Sequence, residues 1–161
     1  MKYGVLLITL FLLTACANTN KQAAHYNAEL GILYTQEGAY DKARINAFKA
    51  LEFDPKSEEA HYAVAFYAQK TKQTALAQEH YLAALHLNPK SGQLNDSYAL
   101  FLCEQGQYQQ ALKHFDTAAQ DVTYAKVSDI YEHAGNCALE IPNQALADSY
   151  FLKSYDHKPN S

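Results

Sequence analysis

Small and apolar residues recur along this chain at an interval of 34 residues. One register of alanines comprises Ala43, Ala77 and Ala111, and a second, seven residues later, comprises Ala50, Ala84 and Ala118. A large apolar residue follows the first register four positions later at Tyr81 and Phe115. Positions i and i+4 share one face of a helix, so the pattern predicts amphipathic helices that repeat once per interval.

Glycine and proline positions predict where these helices end. Gly38 and Gly106 should end the first helix of their intervals, because a left-handed residue commonly follows a helix. Pro55 and Pro89 should end the second helices, since the residue before a proline is pushed out of the helical region. Small residues on both helices should allow close packing; they are Gly31, Ala65, Ala99 and Gly135 on the first and Ala43, Ala77, Ala111 and Ala147 on the second.

A helix–turn–helix unit of 34 residues resembles the tetratricopeptide repeat (TPR). Four copies fit the sequence, at about 24–57, 58–91, 92–125 and, after two extra residues, 128–161. The expected fold is an all-α TPR superhelical solenoid of about eight helices, with 24–161 as one domain. Repeats of this kind stack into extended surfaces that bind other proteins, so an adaptor is expected rather than an enzyme.

The first 23 residues carry a different pattern. A short basic start precedes an apolar run at 3–13, which has the length of a signal-peptide core and is shorter than the ~20 residues that span a bilayer. Residues 13–16 read Leu-Thr-Ala-Cys and resemble a bacterial lipobox; an ordinary secretory cleavage site is the alternative. We therefore expect a lipoprotein signal peptide at 1–15, a lipid on Cys16 and a polar tether to residue 23. Because Ala17 follows Cys16, resemblance to enterobacterial sorting favours the outer membrane.

Composition excludes several kinds of function. Cleavage before Cys16 would remove Lys2 and no acidic residue, which moves the formal charge from −4 to −5 and argues against nucleic-acid binding. The seven histidines show no metal-binding spacing, and His80 and His114 are expected on outer positions as solvated side chains. No phosphate loop or Ser–His–Asp signature occurs. We predict no enzyme activity, cofactor, metal site or small-molecule substrate.

Two cysteines lie within the repeats. Cys103 and Cys137 are on the first helices of consecutive units, which are neighbours in a TPR stack. A disulfide in an oxidising compartment would need their Cα atoms within ~7 Å. Two buried thiols are the alternative, and the spacing leaves both open.

The first helices of a TPR stack line its concave face. We expect Ile32, Tyr62, Phe66 and Leu100 to point into this groove, with polar side chains such as Gln69 around them. Tyr62 and Phe66 are four residues apart and should form one patch. An apolar patch with a polar rim is typical of a peptide-binding surface, although packing between repeats would also explain these residues.

Two segments are more specific than the repeat itself. Residues 98–108 read YALFLCEQGQY and resemble the NYGxFLCxQGxY segment of type IV pilus biogenesis/stability lipoproteins. Residues 131–139 read YEHAGNCAL and resemble the YENAGxCAL segment of the same family, and 121–124 resemble its intervening loop. The resemblance extends along nearly the whole chain, with Ser97 and Ala99 in place of the family's Asn and Gly.

This resemblance implies a pilotin: a lipoprotein on the periplasmic face of the Gram-negative outer membrane that localises the pilus secretin and helps its ring assemble. It implies that Cys16 carries the lipid, that Cys103 and Cys137 are paired, and that the groove with Tyr62 and Phe66 contacts the secretin. A scaffold for cell-wall hydrolases or another envelope complex is the alternative.

The fourth copy carries a further expectation. Family members commonly have about six repeats, and solenoids usually end in a polar cap. We therefore expect the apolar side of the fourth copy to be uncovered here, at Tyr150, Phe151 and Tyr155.

Overall fold

The computed structural model describes the backbone of residues 2–158 and the side chains of residues 19–158. The regular secondary structure of this part of the chain consists of eight α-helices. They divide between two compact units, Met1–Leu87 and Asn88–Ser161. Each unit holds two of the four predicted repeats, and the expected all-α architecture of four helix pairs is confirmed.

The first unit contains four helices: α1 (Lys2–Gln36), α2 (Tyr40–Phe53), α3 (Glu58–Lys70) and α4 (Thr74–Leu87). The pairs α1–α2 and α3–α4 pack together, and α3 also packs on α1 and α2. Their core is built from small side chains with one larger aliphatic; it comprises Ala28, Ala47, Ala50, Ala60, Ala63 and Val64. Because alanine adds little bulk, the helix backbones approach closely.

The second unit repeats this arrangement with α5 (Gly92–Glu104), α6 (Tyr108–Ala118), α7 (Val127–Ala138) and α8 (Gln144–Asp156). Here α5 pairs with α6 and α7 with α8, while α7 also contacts α5 and α6. Larger side chains fill this core, and the fully buried ones include Phe101, Leu102, Phe115 and Ile130.

The predicted helix ends are confirmed. Gly38 and Gly106 adopt φ of 73° and 74°, two residues beyond the ends of α1 and α5. The equivalent position of the second repeat holds Lys72, which adopts φ of 60° without being a glycine. Helix α2 ends at Phe53 and α4 at Leu87, just before the Asp-Pro and Asn-Pro pairs.

Close packing at the small residues is also confirmed. A Cβ on Gly31 would lie 3.0 Å from the backbone nitrogen of Ala47, on the facing helix. A Cβ on Gly135 would lie 2.6 Å from Cε1 of Phe151. The contacting residue, Ala47 or Phe151, lies four positions after Ala43 or Ala147 of the second helix, as the i, i+4 pattern predicts.

The described residues of the expected tether are helical. Residues 19–23 form part of α1, and Asn27 donates its side-chain amide to the carbonyl of Ala23 at 2.6 Å. Lys, Gln and Ala are good helix formers, and no glycine or proline interrupts this stretch. The signal-peptide residues 1–15 and Cys16 lie outside the described side chains. Among the described residues, no helix combines the length and apolarity needed to span a membrane.

Of the three residues expected to be uncovered in the last helix pair, Tyr155 is exposed, whereas Tyr150 is buried and Phe151 is half-buried. Tyr155 is 75% exposed, whereas Tyr150 is 5% exposed. The Tyr150 hydroxyl donates to Asp116 at 3.2 Å, and burial together with that carboxylate raises the pKa of Tyr150 to about 12. Phe151 is half-buried, because it packs against Gly135.

Candidate protein-binding surfaces

The aromatic patch predicted for the first repeats lies on α3. The rings of Tyr62 and Phe66 are stacked with centroids 6.0 Å apart. Tyr62 is 8% exposed, while Phe66 is half-buried and carries the Lys70 ammonium 5.5 Å from its ring centroid. Phe66 is therefore the side chain of this patch that a partner would reach most readily.

The other residues expected near this patch occupy different environments. Ile32 is half-buried on α1 and packs against the core of the first unit. Gln69 is 7% exposed, and its side-chain oxygen accepts a hydrogen bond from the Tyr81 hydroxyl at 2.6 Å. Gln69 thus ties α3 to α4 instead of forming a solvated rim. Leu100 is half-buried on α5, in the second unit.

The expectation that His80 and His114 are solvated is wrong. His80 is 9% exposed, and its Nδ1 lies 3.0 Å from Nδ1 of His61 on the paired helix. In the next repeat, His114 is half-buried, and its Nδ1 donates to Asn95 Oδ1 at 2.8 Å. Each histidine follows a buried alanine by three residues, so it shares the inward face of its helix.

These two interhelical pairs recur in register. The partners are 19 residues apart in both repeats and join the first helix to the second. Burial, and then the neighbouring His61, lower the pKa of His80; burial lowers the pKa of His114. The fold therefore favours the neutral form of both imidazoles.

The two repeat cysteines form a disulfide that joins α5 to α7. Cys103 and Cys137 have Cα atoms 5.9 Å apart, within the range that a disulfide requires. The same helices are joined a second time where His133 Nδ1 donates to Asp96 Oδ1 at 2.9 Å. That hydrogen bond, more than the opposing burial, raises the pKa of His133. Asp96 is 6% exposed, so a buried carboxylate and a covalent bond hold these first helices together.

The loop before α7, which contains the two extra residues, holds the start of α5. Asp121 accepts hydrogen bonds from the Gly92 backbone N–H at 2.7 Å and from the hydroxyl and N–H of Thr123 at 2.6 and 2.9 Å. The Thr123 hydroxyl and these amides lower the pKa of Asp121. A Cβ at Gly92 would lie 2.7 Å from Cβ of Tyr124. Sequence analysis missed this role of Asp121, although an Asp whose side chain accepts from the backbone N–H two residues later is a common turn former.

Within residues 19–158, no group of three or more His, Cys, Asp or Glu side chains could hold a metal ion. Four helix pairs with a 34-residue period, packed through small residues, define a TPR scaffold for protein–protein interaction. The solved structure of the TPR protein YrrB shares this fold, with a TM-score of 0.69 at 19% identity, over 99% of this chain and 85% of YrrB.

No family model matches the chain. The type IV pilus assembly protein PilF of Pseudomonas aeruginosa is 36% identical over 126 residues, which are 78% of this chain and 50% of PilF. An uncharacterized protein of Haemophilus influenzae is 31% identical over 134 residues, or 80% of this chain and 75% of that protein. This chain therefore belongs to the same family as the Haemophilus protein and is homologous to PilF.

Solved structures agree with this assignment. The P. aeruginosa PilF structure superposes with a TM-score of 0.82 at 33% identity, over 89% of this chain and 64% of PilF. PilW, a widely conserved type IV pilus biogenesis factor, superposes with a TM-score of 0.79 at 29% identity, over 86% of this chain and 63% of PilW. This chain thus spans about half to two thirds of the length of these pilus proteins.

Proposed function

We propose that this protein is a lipid-anchored outer-membrane adaptor for type IV pilus biogenesis, acting as a pilotin that localises the secretin and helps its ring assemble. The observation that carries the proposal is homology to PilF and PilW, at 36% and 29% identity over more than three quarters of this chain. The segments 98–108 and 131–139, which resemble the pilus lipoprotein family, surround the disulfide that links α5 and α7.

The proposed mechanism is binding of a secretin segment by the aromatic patch of α3, while the lipid on Cys16 brings that segment to the outer membrane. An apolar patch beside a cationic side chain, as Phe66 is beside Lys70, provides both hydrophobic contact and a charge for a partner peptide. Stable anchoring requires two or more acyl chains, since a single chain holds a protein only marginally.

Complementation of a deletion strain tests the pilus role. The wild-type gene should restore secretin multimers and surface pili, and a Phe66→Ala variant should restore fewer of both. Leu82→Ala is a matched control, because Leu82 is an exposed apolar residue, 48% exposed, on the second helix of the same repeat. Deletion that leaves multimers and pili unchanged would contradict the pilotin function, and equal effects of the two variants would place the secretin contact elsewhere.

Labelling cells with radioactive palmitate tests the anchor. Wild-type protein should incorporate label and fractionate with the outer membrane, whereas Cys16→Ser should do neither. Equal labelling of the two proteins would reject lipidation at Cys16 without affecting the assignment of the TPR domain.

A further inference from the structure

Two cavities lie beside the disulfide of the second unit. One, of about 340 Å³, is lined by the half-cystines and by Leu100, His133 and Glu104. The other, of about 320 Å³, lies at the turns that follow α5 and α7, where its walls include Gln107, Ile141 and Pro142. Tyr108 and Glu140 line both cavities, so the two adjoin. We call the combined depression the disulfide-edge groove.

The floor of the groove is apolar and its charged groups are acidic. Leu100, Tyr108 and Ile141 are half-buried along it, and the disulfide forms part of one wall. Glu104 and Glu140 are exposed at its edge, and neither makes an ion pair with any residue in the described part of the chain. No lysine or arginine is among the residues that line the two cavities.

The one basic side chain in the groove has its own counter-charge. His133 donates through Nδ1 to Asp96, a carboxylate that is 6% exposed. Asp129 and Glu132 add further negative potential around the same ring. The groove therefore presents two uncompensated carboxylates above an apolar floor.

We infer that the disulfide-edge groove binds an extended, cationic segment of a partner protein, in which lysine or arginine alternates with apolar residues. The charge of the groove selects cations, and the aliphatic stem of a lysine or arginine can lie on apolar surface while its head group reaches a carboxylate. Side-chain amides at Gln107, Gln109 and Gln110 offer donors and acceptors to an extended backbone.

The disulfide contributes by holding the groove open in advance. Its two half-cystines belong to α5 and α7 and lie 34 positions apart in sequence, and the segment between them includes all of α6. A surface that is ordered before binding loses less conformational entropy on binding. This inference rests on the geometry of the second unit alone, and it stands or fails independently of the secretin assignment.

Peptide binding to the oxidised full-length chain tests the inference by fluorescence anisotropy. The probe is a labelled eight-residue peptide that alternates lysine with leucine. The lysine–leucine peptide should bind, and a peptide with glutamate at every lysine position should not. Glu104→Gln/Glu140→Gln should weaken binding about tenfold, the loss expected for two partly exposed ion pairs.

A second variant separates a specific site from general charge attraction. Glu37→Gln/Glu52→Gln removes the same charge from exposed positions in the first unit and should leave the affinity within about twofold, because neither residue lines either cavity. Thermal unfolding of both variants shows whether the fold is intact. Absence of binding, equal losses in the two variants, or equal affinity for a lysine–serine peptide would overturn the inference.

Discussion

Within the described residues, Lys72 is the non-glycine residue that adopts a positive φ. Its φ of 60° is the left-handed conformation that glycine provides in the neighbouring repeats, at Gly38 and Gly106. For a non-glycine residue this conformation costs about 1–2 kcal/mol. A glycine at this position would avoid that cost. It would also lose more chain entropy on folding, which offsets about 0.5–1 kcal/mol of the stabilisation.

Lys72→Gly should therefore stabilise the protein by about 0.5–1 kcal/mol. The hydrogen bond from the residue 72 backbone N–H to the carbonyl of Gln69, at 3.1 Å, is kept by the substitution. In a urea titration followed by circular dichroism, the midpoint should rise by about 0.3–0.5 M for a slope near 2 kcal/mol/M, with the slope unchanged.

Two variants test whether the backbone conformation at residue 72 causes the stability gain of Lys72→Gly. Lys72→Ala removes the same exposed side chain but keeps a Cβ, so its midpoint should stay close to that of the wild type. Gly106→Ala should lose about 1 kcal/mol, although no atom lies within 4 Å of the Cβ position. A rise with Lys72→Ala as large as with Lys72→Gly would refute the reasoning.

Three further predictions concern the second unit. Reduction of the disulfide, which spans 34 residues, should destabilise that unit by about 3–4 kcal/mol in the chain-entropy treatment; an unchanged urea midpoint in dithiothreitol would contradict this. Asp96→Asn should lower the pKa of His133, measured by NMR titration. Because the His133–Asp96 pair raises that pKa, the stability that it gives the fold is complete below pH 6.5 and is lost as the pH rises through the folded-state pKa. The free energy of unfolding of Asp96→Asn should therefore fall further below that of the wild type at pH 6 than at pH 9. Gly135→Ala should cost about 1–3 kcal/mol in thermal unfolding, since its Cβ would lie 2.6 Å from Phe151, and an added Phe151→Leu should restore part of the loss.

Several features could be predicted from residues alone because they depend on local chemistry. Proline disfavours the helical conformation at the residue before it, so the ends of α2 and α4 could be predicted from Pro55 and Pro89. Gly31 and Gly135 have no side chain, so each allows another helix to pack closely against it, as the structure shows. Together with the 34-residue period, these local features predicted four helix pairs.

Other features depend on which distant residues meet. The burial of His80 and the half-burial of His114 could not be predicted from their spacing, because the opposite member of each pair, His61 or Asn95, is 19 residues away. Gln69 was expected among the polar side chains around the groove, whereas in the structure its side-chain oxygen accepts a hydrogen bond from Tyr81 on the next helix.

The sequence by itself determined the repeat, the helix ends and the positions where helices approach closely, since each follows from the conformational limits of individual residues. The spacing of Cys103 and Cys137 left their pairing open, although the family resemblance implied it, and the sequence did not indicate Asp121 as the group that holds the start of α5. Only the tertiary structure decided these points and placed Glu104 and Glu140 along one groove, because distances between helices follow from the packing of the whole unit.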